Sequence, residues 1–168
     1  DAAKHGPTAR LSGWLGVFET EGTQTMTSTV FKSLTDTTFD SVEGYRQAAE
    51  TANNPQLTQA LQQRGQERGQ TLQQMNAELQ RQGEELVTKG TLTGEAHQMW
   101  QSVTAAFENN DEAAAERVEE GEDYIKNKFQ QALDSDQLEV QERAVVQQAY
   151  SEICAGERFG DFAAKQFD

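Results

Sequence analysis

Polar side chains interrupt two helical patterns of apolar residues, and these interruptions hold the residues best suited to chemistry. Residues 62–71 contain no apolar side chain, and residues 119–123 form a second polar stretch. Each falls near the middle of a predicted helix, where the three- and four-residue spacing demands a core residue. The carboxylates that belong to or border this predicted polar layer are Glu43, Glu67, Glu122 and Glu152. Because grouped carboxylates hold divalent cations, one interpretation is a carboxylate-rich metal site for iron or manganese.

Arginines in the same layer indicate a different interpretation. Arg64 and Arg68 occupy or border core positions of the second predicted helix. An arginine that faces Glu122 would form a buried ion pair, and such a network would fix the register of the helices. Positive charge also weakens the binding of cations. Since an unpaired charge in a core is costly, we favour the arginine–glutamate network over the metal site.

The histidines argue against a standard two-metal centre. Iron- and manganese-carboxylate bundles take one Glu from each of two helices and a Glu-x-x-His motif from each of the other two. The chain has two histidines, His5 and His97, and neither belongs to such a motif. Cys154 has no histidine close in sequence, so we expect a buried and inert thiol. We therefore expect no catalytic residues and no cofactor.

The apolar spacing predicts five helices and no strand. Long helices are predicted at residues 29–52, 55–87, 111–134 and 136–165, and a short one at residues 94–108. The predicted N-caps are Asn54, Asp111 and the pair Ser135–Asp136, with Pro55 as a suitable first helical residue.

The order of these helices predicts the architecture. The second and third long helices are joined by a long connection that holds the short helix, which is the ferritin-like arrangement. We therefore predict an all-α, ferritin-like four-helix bundle over residues 29–168, with a short helix in the crossover between bundle helices two and three. Residues 1–28 lack sustained periodicity and are predicted to form a flexible N-terminal arm.

The composition excludes several classes of function. The 168 residues include 28 Asp and Glu against 14 Lys and Arg, which gives a formal charge of −14. An acidic chain repels phosphate backbones and anionic membrane surfaces, so we expect no nucleic-acid partner. No run approaches the roughly 18 apolar residues of a membrane span. With one cysteine there is no internal disulfide, and we expect a cytoplasmic protein.

Apolar residues outside the helical stripes predict self-association. Trp14 and Phe18 lie in the predicted arm, where residues 14–18 could dock onto a surface, and Met99 and Trp100 lie on the short helix. We expect a non-enzymatic homo-oligomer that acts through self-assembly or through a protein partner. The alternative is a carboxylate-rich metal-binding protein that handles iron or acts as a small oxidase.

Four segments resemble the signatures of one bacterial family. They are residues 40–50 (DSVEGYRQAAE), 64–68 (RGQER), 97–107 (HQMWQSVTAAF) and 120–123 (EGED) with Ala132 and Leu133. The resemblance covers about residues 30–157, and the family is a ferritin-like four-helix bundle known only as domain of unknown function 2383. It implies a fold without implying an activity. The family's usual alanine-histidine-aspartate run in the fourth helix is here Ala155-Gly156-Glu157, so a metal role for that histidine does not carry over.

Overall fold

The computed structural model describes residues 27–90 and 94–166, without the side chains of residues 107–109. The helices in these ranges are α1 (Thr29–Thr51), α2 (Pro55–Arg81), α3 (Glu95–Asn109), α4 (Asp111–Asp134) and α5 (Val140–Gln166). No strand occurs among the described residues, so the predicted all-α bundle is confirmed. Trp14, Phe18 and most of the predicted arm lie outside the described residues.

The four long helices form two hairpins, and α3 lies between them. α1 packs along α2, α4 packs along α5, and contacts between α2 and α5 join the hairpins. α3 packs against both α1 and α4, whereas α1 and α4 make few direct contacts with each other. The predicted crossover helix is therefore a packed part of the bundle. No helix in the described ranges is long and apolar enough to cross a membrane.

Capping chemistry sets the turn between α1 and α2. The side chain of Asn54 accepts two backbone N–H groups of the first turn of α2, at 2.9 and 3.1 Å, and Pro55 opens the helix as predicted. Asp111 is not the cap of α4, because its carboxylate accepts the backbone N–H of Asn54 at 2.8 Å instead. Asn110 caps α4. Asp111 therefore ties the first connection of the chain to the start of the second hairpin.

α2 ends at Arg81, earlier than predicted. Gly83 has a φ of 80°, a left-handed conformation that favours glycine. The N–H of Glu84 bonds to the carbonyl of Leu79 at 2.9 Å, as in the Schellman motif that ends many helices. Leu86 was predicted to continue the apolar stripe, but it follows the helix end and is 44% exposed.

α5 begins at Val140, later than the predicted start at residue 136. The buried carboxylate of Glu142 accepts the backbone N–H of Glu139 at 3.0 Å, which satisfies a free donor at the helix start. The same carboxylate accepts the hydroxyl of Ser28 at 2.6 Å. Glu142 therefore fixes the first turn of α5 against the start of α1.

Two apolar clusters fill the bundle. One includes Phe31, Leu34, Met75, Leu79, Ile125, Phe129, Val146 and Ile153, and the other includes Tyr45, Ala48, Leu57, Leu61, Trp100, Val103 and Val118. Trp100 was expected to lie outside the helical stripes, but it is buried. A Cβ at Gly44 would come within 2.5 Å of the indole, and one at Gly121 within 3.0 Å. The two glycines therefore admit this ring between α1 and α4.

Candidate functional site

The polar layer between the apolar clusters centres on Arg68, whose side chain is 0% exposed. Its Nη2 donates to Oε2 of Glu122 on α4 at 2.8 Å. Its Nε donates to Oε1 of Glu152 on α5 at 2.8 Å, and its Nη1 donates to Oγ of Ser41 on α1 at 3.0 Å. The sequence predicts that Arg64 or Arg68 faces Glu122, and the structure confirms such a contact with Arg68 as the partner. One guanidinium on α2 thus binds side chains from each of the other three long helices.

Opposite charge keeps Arg68 ionised in the core. Burial alone would lower the pKa of Arg68, but the negative charges of Glu122 and Glu152 outweigh it and raise the pKa above its ordinary value. The ring of Tyr45 adds a face whose centroid lies 5.7 Å from the guanidinium carbon. A buried pair of this kind is costly to break, because the partner left behind becomes an uncompensated charge. The layer therefore fixes the register of the four long helices, that is, how far each is shifted along its neighbours.

Glu152 connects the buried arginine to a groove between α2 and α5. Its carboxylate accepts the hydroxyl of Thr71 at 2.8 Å and also binds Arg64. Arg64 in turn contacts Glu67, which is on the same helix and lies nearer to solvent. The groove has a volume of about 450 Å³, and three glutamines are among the residues that line it. The charged network thus extends from the bundle interior to an accessible surface.

The other side of Glu122 is less completely bonded. Among the described residues, the Tyr45 hydroxyl, the Trp100 indole N–H and Oε1 of Glu122 are buried without a hydrogen-bond partner. Burial raises the pKa of Tyr45 well above its ordinary value, and the charge of Glu122 raises it further. The two side chains are therefore close, although they do not meet hydrogen-bond geometry. Tyr45 stays a neutral hydroxyl, and the ion pair with Arg68 is the main interaction of Glu122.

The structure brings together two of the four predicted metal ligands. Glu122 and Glu152 both bind Arg68, whereas Glu67 lies at the groove and pairs with an arginine of its own helix. Glu43 lies outside the layer, where it pairs with a surface arginine on α1. Two carboxylates bound by an arginine do not fit the iron or manganese centre of a carboxylate bundle. The four-glutamate site stays a prediction that this donor set does not favour.

A second polar site lies between α1 and α3. A pocket of about 290 Å³ is lined by residues that include Phe39, Asp40, Glu43, His97, Trp100 and Gln101. Nδ1 of His97 lies 3.9 Å from Oδ1 of Asp40. Asp40 and Glu43 are three residues apart on α1, so the sequence places both on one helix face. The sequence could not show that α3 would bring His97 to this face.

Acidic side chains also line the seam between α4 and α5. Carboxylate oxygens of Asp123, Glu157 and Asp161 all lie within 4.8 Å of one another. A hydrogen bond with Asp161 raises the pKa of Glu119, with burial as a further cause. Burial raises the pKa of Asp123, and the charges of Asp161 and Glu157 raise it further. Lys126 lies 3.7 Å from Glu157, so the seam carries repulsion that this lysine offsets in part.

The fold and this site together define an all-helical bundle held in register by a buried arginine–glutamate layer. The profile of a family described as Domain of unknown function (DUF2383) matches residues 26–135. Because this match covers more than half of the chain, the protein belongs to the DUF2383 family, as the resemblance predicted. No curated protein and no solved structure matches the chain. The family description names no activity.

Proposed function

We propose that the protein is a non-enzymatic helical bundle that acts by self-association, with a second copy docking around Phe162. The observation that carries this proposal is the position of Phe162, which is 62% exposed beside an apolar groove. The groove has a volume of about 190 Å³ and lies between the start of α2 and the end of α5. Its apolar lining consists of Leu57, Ala60, Phe159, Phe162 and Ala163. An exposed aromatic ring beside an apolar groove is a common feature of association surfaces.

The charge of the molecule supports a second copy as the occupant. Each chain carries a formal charge of −14, so two copies repel each other over most of their surfaces. The described residues that line the groove are apolar or are the neutral Gln56 and Gln166. A two-fold contact places the same patch on both copies, and an uncharged patch avoids like-charge contact. The groove is therefore a favourable place for two acidic copies to meet.

The interior supports the non-enzymatic part of the proposal. Catalytic acids and bases need a proton-transfer partner within reach and a pKa near the working pH. The charged side chains of the layer are engaged with one another, and the pKa of Arg68 is raised rather than lowered. A network of this kind supports a structural role.

The proposal also covers the arrangement of the helices, a function without nucleic acid and a cytoplasmic location. The connection from Arg81 to Asp111, which contains α3, supports a ferritin-like arrangement, because simple up-down bundles have short loops. The acidity of the chain supports a function without nucleic acid. A cytoplasmic location is the proposal consistent with a single cysteine.

Metal binding is the competing proposal. Iron or manganese at Glu122 and Glu152 would have to displace Arg68 from both carboxylates, which would leave a buried guanidinium unpaired. Anaerobic titration with ferrous ion, followed by air, tests this directly. Two irons per chain, with an oxidation signal that Glu122→Ala abolishes, would replace self-association by metal chemistry as the function of the bundle.

Sedimentation velocity tests self-association. We expect the wild-type chain to dimerise with a dissociation constant on the order of 10 µM, because the patch is small for a specific interface. Phe162→Ser removes the exposed ring and should weaken dimerisation at least about tenfold, as expected for an aromatic anchor. Added salt should strengthen the dimer, because it screens the repulsion between the copies.

Val140→Ser is the matched control. Val140 is 83% exposed at the start of α5, so it is a similarly exposed apolar residue on the same helix but at the opposite end of the bundle. We expect its dissociation constant to equal that of the wild type. A wild-type chain that stays monomeric at about 100 µM would refute the proposal, and so would an equal loss in both variants.

A further inference from the structure

The outer face of the last turns of α5 carries an arginine without a partner in its own chain. Arg158 is exposed, and it makes no hydrogen bond, ion pair or ring contact with the described part of the chain. Every other arginine in the described ranges bonds to a carboxylate or to a backbone carbonyl. The chain contains 28 acidic residues, so an unpaired arginine is unexpected. Arg158 is therefore available to a group on another molecule.

The neighbours of Arg158 on α5 explain why it stays unpaired. Residues three and four positions away share its side of the helix, and these are Cys154, Ala155, Asp161 and Phe162. Asp161 is the one carboxylate in this set, and it belongs to the acidic seam with α4, where its hydrogen bond raises the pKa of Glu119. Phe162 is exposed like Arg158. The outer face of α5 therefore presents a cation and an aromatic ring one helical turn apart.

The cation and the ring do not meet within one chain. In the described ranges, cations lie over the rings of Tyr45 and Tyr124 but not over that of Phe162. A guanidinium above an aromatic face is a favourable contact, because the face of the ring is electron-rich and the guanidinium is planar and weakly hydrated. Arg158 and Phe162 are thus two halves of a favourable contact, and each half lacks a partner in its own chain.

The spacing of the two residues makes the face complementary to itself. In a two-fold contact, a residue that touches a second residue of the partner is matched by the reverse pair. Arg158 and Phe162 are four residues apart, which is about 6 Å along a helix. If two copies of α5 lie antiparallel with the axis level with residue 160, Arg158 of each copy lies opposite the partner's Phe162. One contact then occurs twice.

We propose that the guanidinium of Arg158 packs over the ring of the partner's Phe162, and that this reciprocal pair sets the register of two antiparallel α5 helices. The inference rests on the proposed self-association and names the contact that orients it. The charge of the chain supports a second copy as the partner, because Arg158 brings positive charge to the place where two chains of −14 meet. Lys165, the other exposed cation of this face, would lie opposite the partner's Ala155 in the same register.

A double-mutant cycle on the dimer dissociation constant tests this contact, with sedimentation velocity of the full chain as the measurement. Arg158→Gln removes the cation, and Phe162→Leu removes the aromatic face but keeps an apolar side chain. Each variant should weaken dimerisation about tenfold, because both copies of the contact are lost. The double variant should be weaker than either single variant by less than about twofold, since the second change has no contact left to remove.

Lys165→Gln is the matched control for Arg158→Gln. Lys165 is exposed in the last turn of α5, three residues beyond Phe162 and on the side away from Arg158. Both variants remove one positive charge from the same helix, so they have the same net charge. We expect Lys165→Gln to stay within about twofold of the wild-type dissociation constant, as for a residue outside the contact.

The outcomes separate this contact from self-association itself. A wild-type chain that stays monomeric would refute both. A dimer that Phe162→Ser weakens and Arg158→Gln leaves unchanged would refute the contact alone. Equal losses in Arg158→Gln and Lys165→Gln would also refute it, because they would indicate general repulsion between acidic chains. A wild-type dissociation constant for Phe162→Leu, with a loss in Arg158→Gln, would replace the ring by a carboxylate as the partner of Arg158.

Discussion

At the scale of single residues, the buried charge of Arg68 depends on a glycine as much as on its glutamates. A Cβ at Gly156 would lie 1.9 Å from Oε2 of Glu122 and 2.4 Å from Nη2 of Arg68. Both distances are far below van der Waals contact, so any larger residue at this position must separate the pair or move α5. The identity of Gly156 is therefore a condition for burying the ion pair.

Gly156→Ala is expected to destabilise the protein by about 2–4 kcal/mol, through overpacking and partial loss of the buried pair. Gly69→Ala is the control, because a Cβ at Gly69 meets nothing within 4 Å and the residue lies inside α2. That change should stabilise by about 0.5–1 kcal/mol, since alanine is the better helix former. Urea unfolding of both variants measures the difference. Equal stability of Gly156→Ala and wild type would show that the ion pair does not need this space.

At the scale of helices, α3 is held by one large side chain. Trp100 packs its indole against Gly44 and Gly121 and lies with its ring centroid 5.0 Å from that of Tyr45. The contact joins α3 to both α1 and α4. The packing of the crossover helix therefore depends on shape at two glycines rather than on a long apolar stripe.

Trp100→Ala should destabilise the bundle by about 3–5 kcal/mol, because it leaves a large cavity. Hydrogen exchange should accelerate more in α3 than in α2, since α3 loses its main anchor. Gln98→Ala, at an exposed position of the same helix, should stay within about 0.5 kcal/mol of wild type. A loss below about 1 kcal/mol for Trp100→Ala would contradict the packing described for this ring.

Some features of the helices can be predicted from the sequence, whereas others depend on packing. Asn54 caps α2 and Pro55 is its first residue. These roles depend on neighbours in sequence, so the sequence pattern alone predicts the start of the helix. The end of α2 was missed because apolar spacing continues to Leu86, although Gly83 is the signal that closes the helix. The place of Trp100 was missed because glycines add no side chain to the apolar periodicity on which the prediction rested.

The two polar sites also differ in whether the sequence predicts them. Since buried charges must pair, the sequence predicts a contact between Glu122 and either Arg64 or Arg68. The packing then decides that Arg68 is the partner. Asp40 and His97 lie on different helices, and their proximity depends on how deeply α3 inserts. That depth is a tertiary property, so the sequence pattern does not predict the α1–α3 pocket.

At the scale of the whole molecule, the charge of −14 is unevenly distributed. The buried layer is balanced by its arginines, whereas the α4–α5 seam concentrates carboxylates whose pKa values are raised. A raised pKa means that the folded state binds protons more readily than the unfolded chain does. The contribution of the seam to stability therefore increases as pH falls through the raised pKa values of Glu119 and Asp123, and it is least favourable at neutral pH.

Asp161→Asn should therefore raise the melting temperature at pH 7 by about 1–2 °C, as expected for relief of one like-charge contact in a chain of this size. The gain should shrink as pH falls through the raised pKa values of Glu119 and Asp123, because protonation removes their charges from the seam. It should also shrink in about 1 M salt, which screens the repulsion. Glu116→Gln on the exposed face of α4 is the control, because it removes the same charge away from the seam. If both variants gain equally, net charge rather than the seam limits stability, and the assignment of repulsion to Asp161 and its neighbours is wrong.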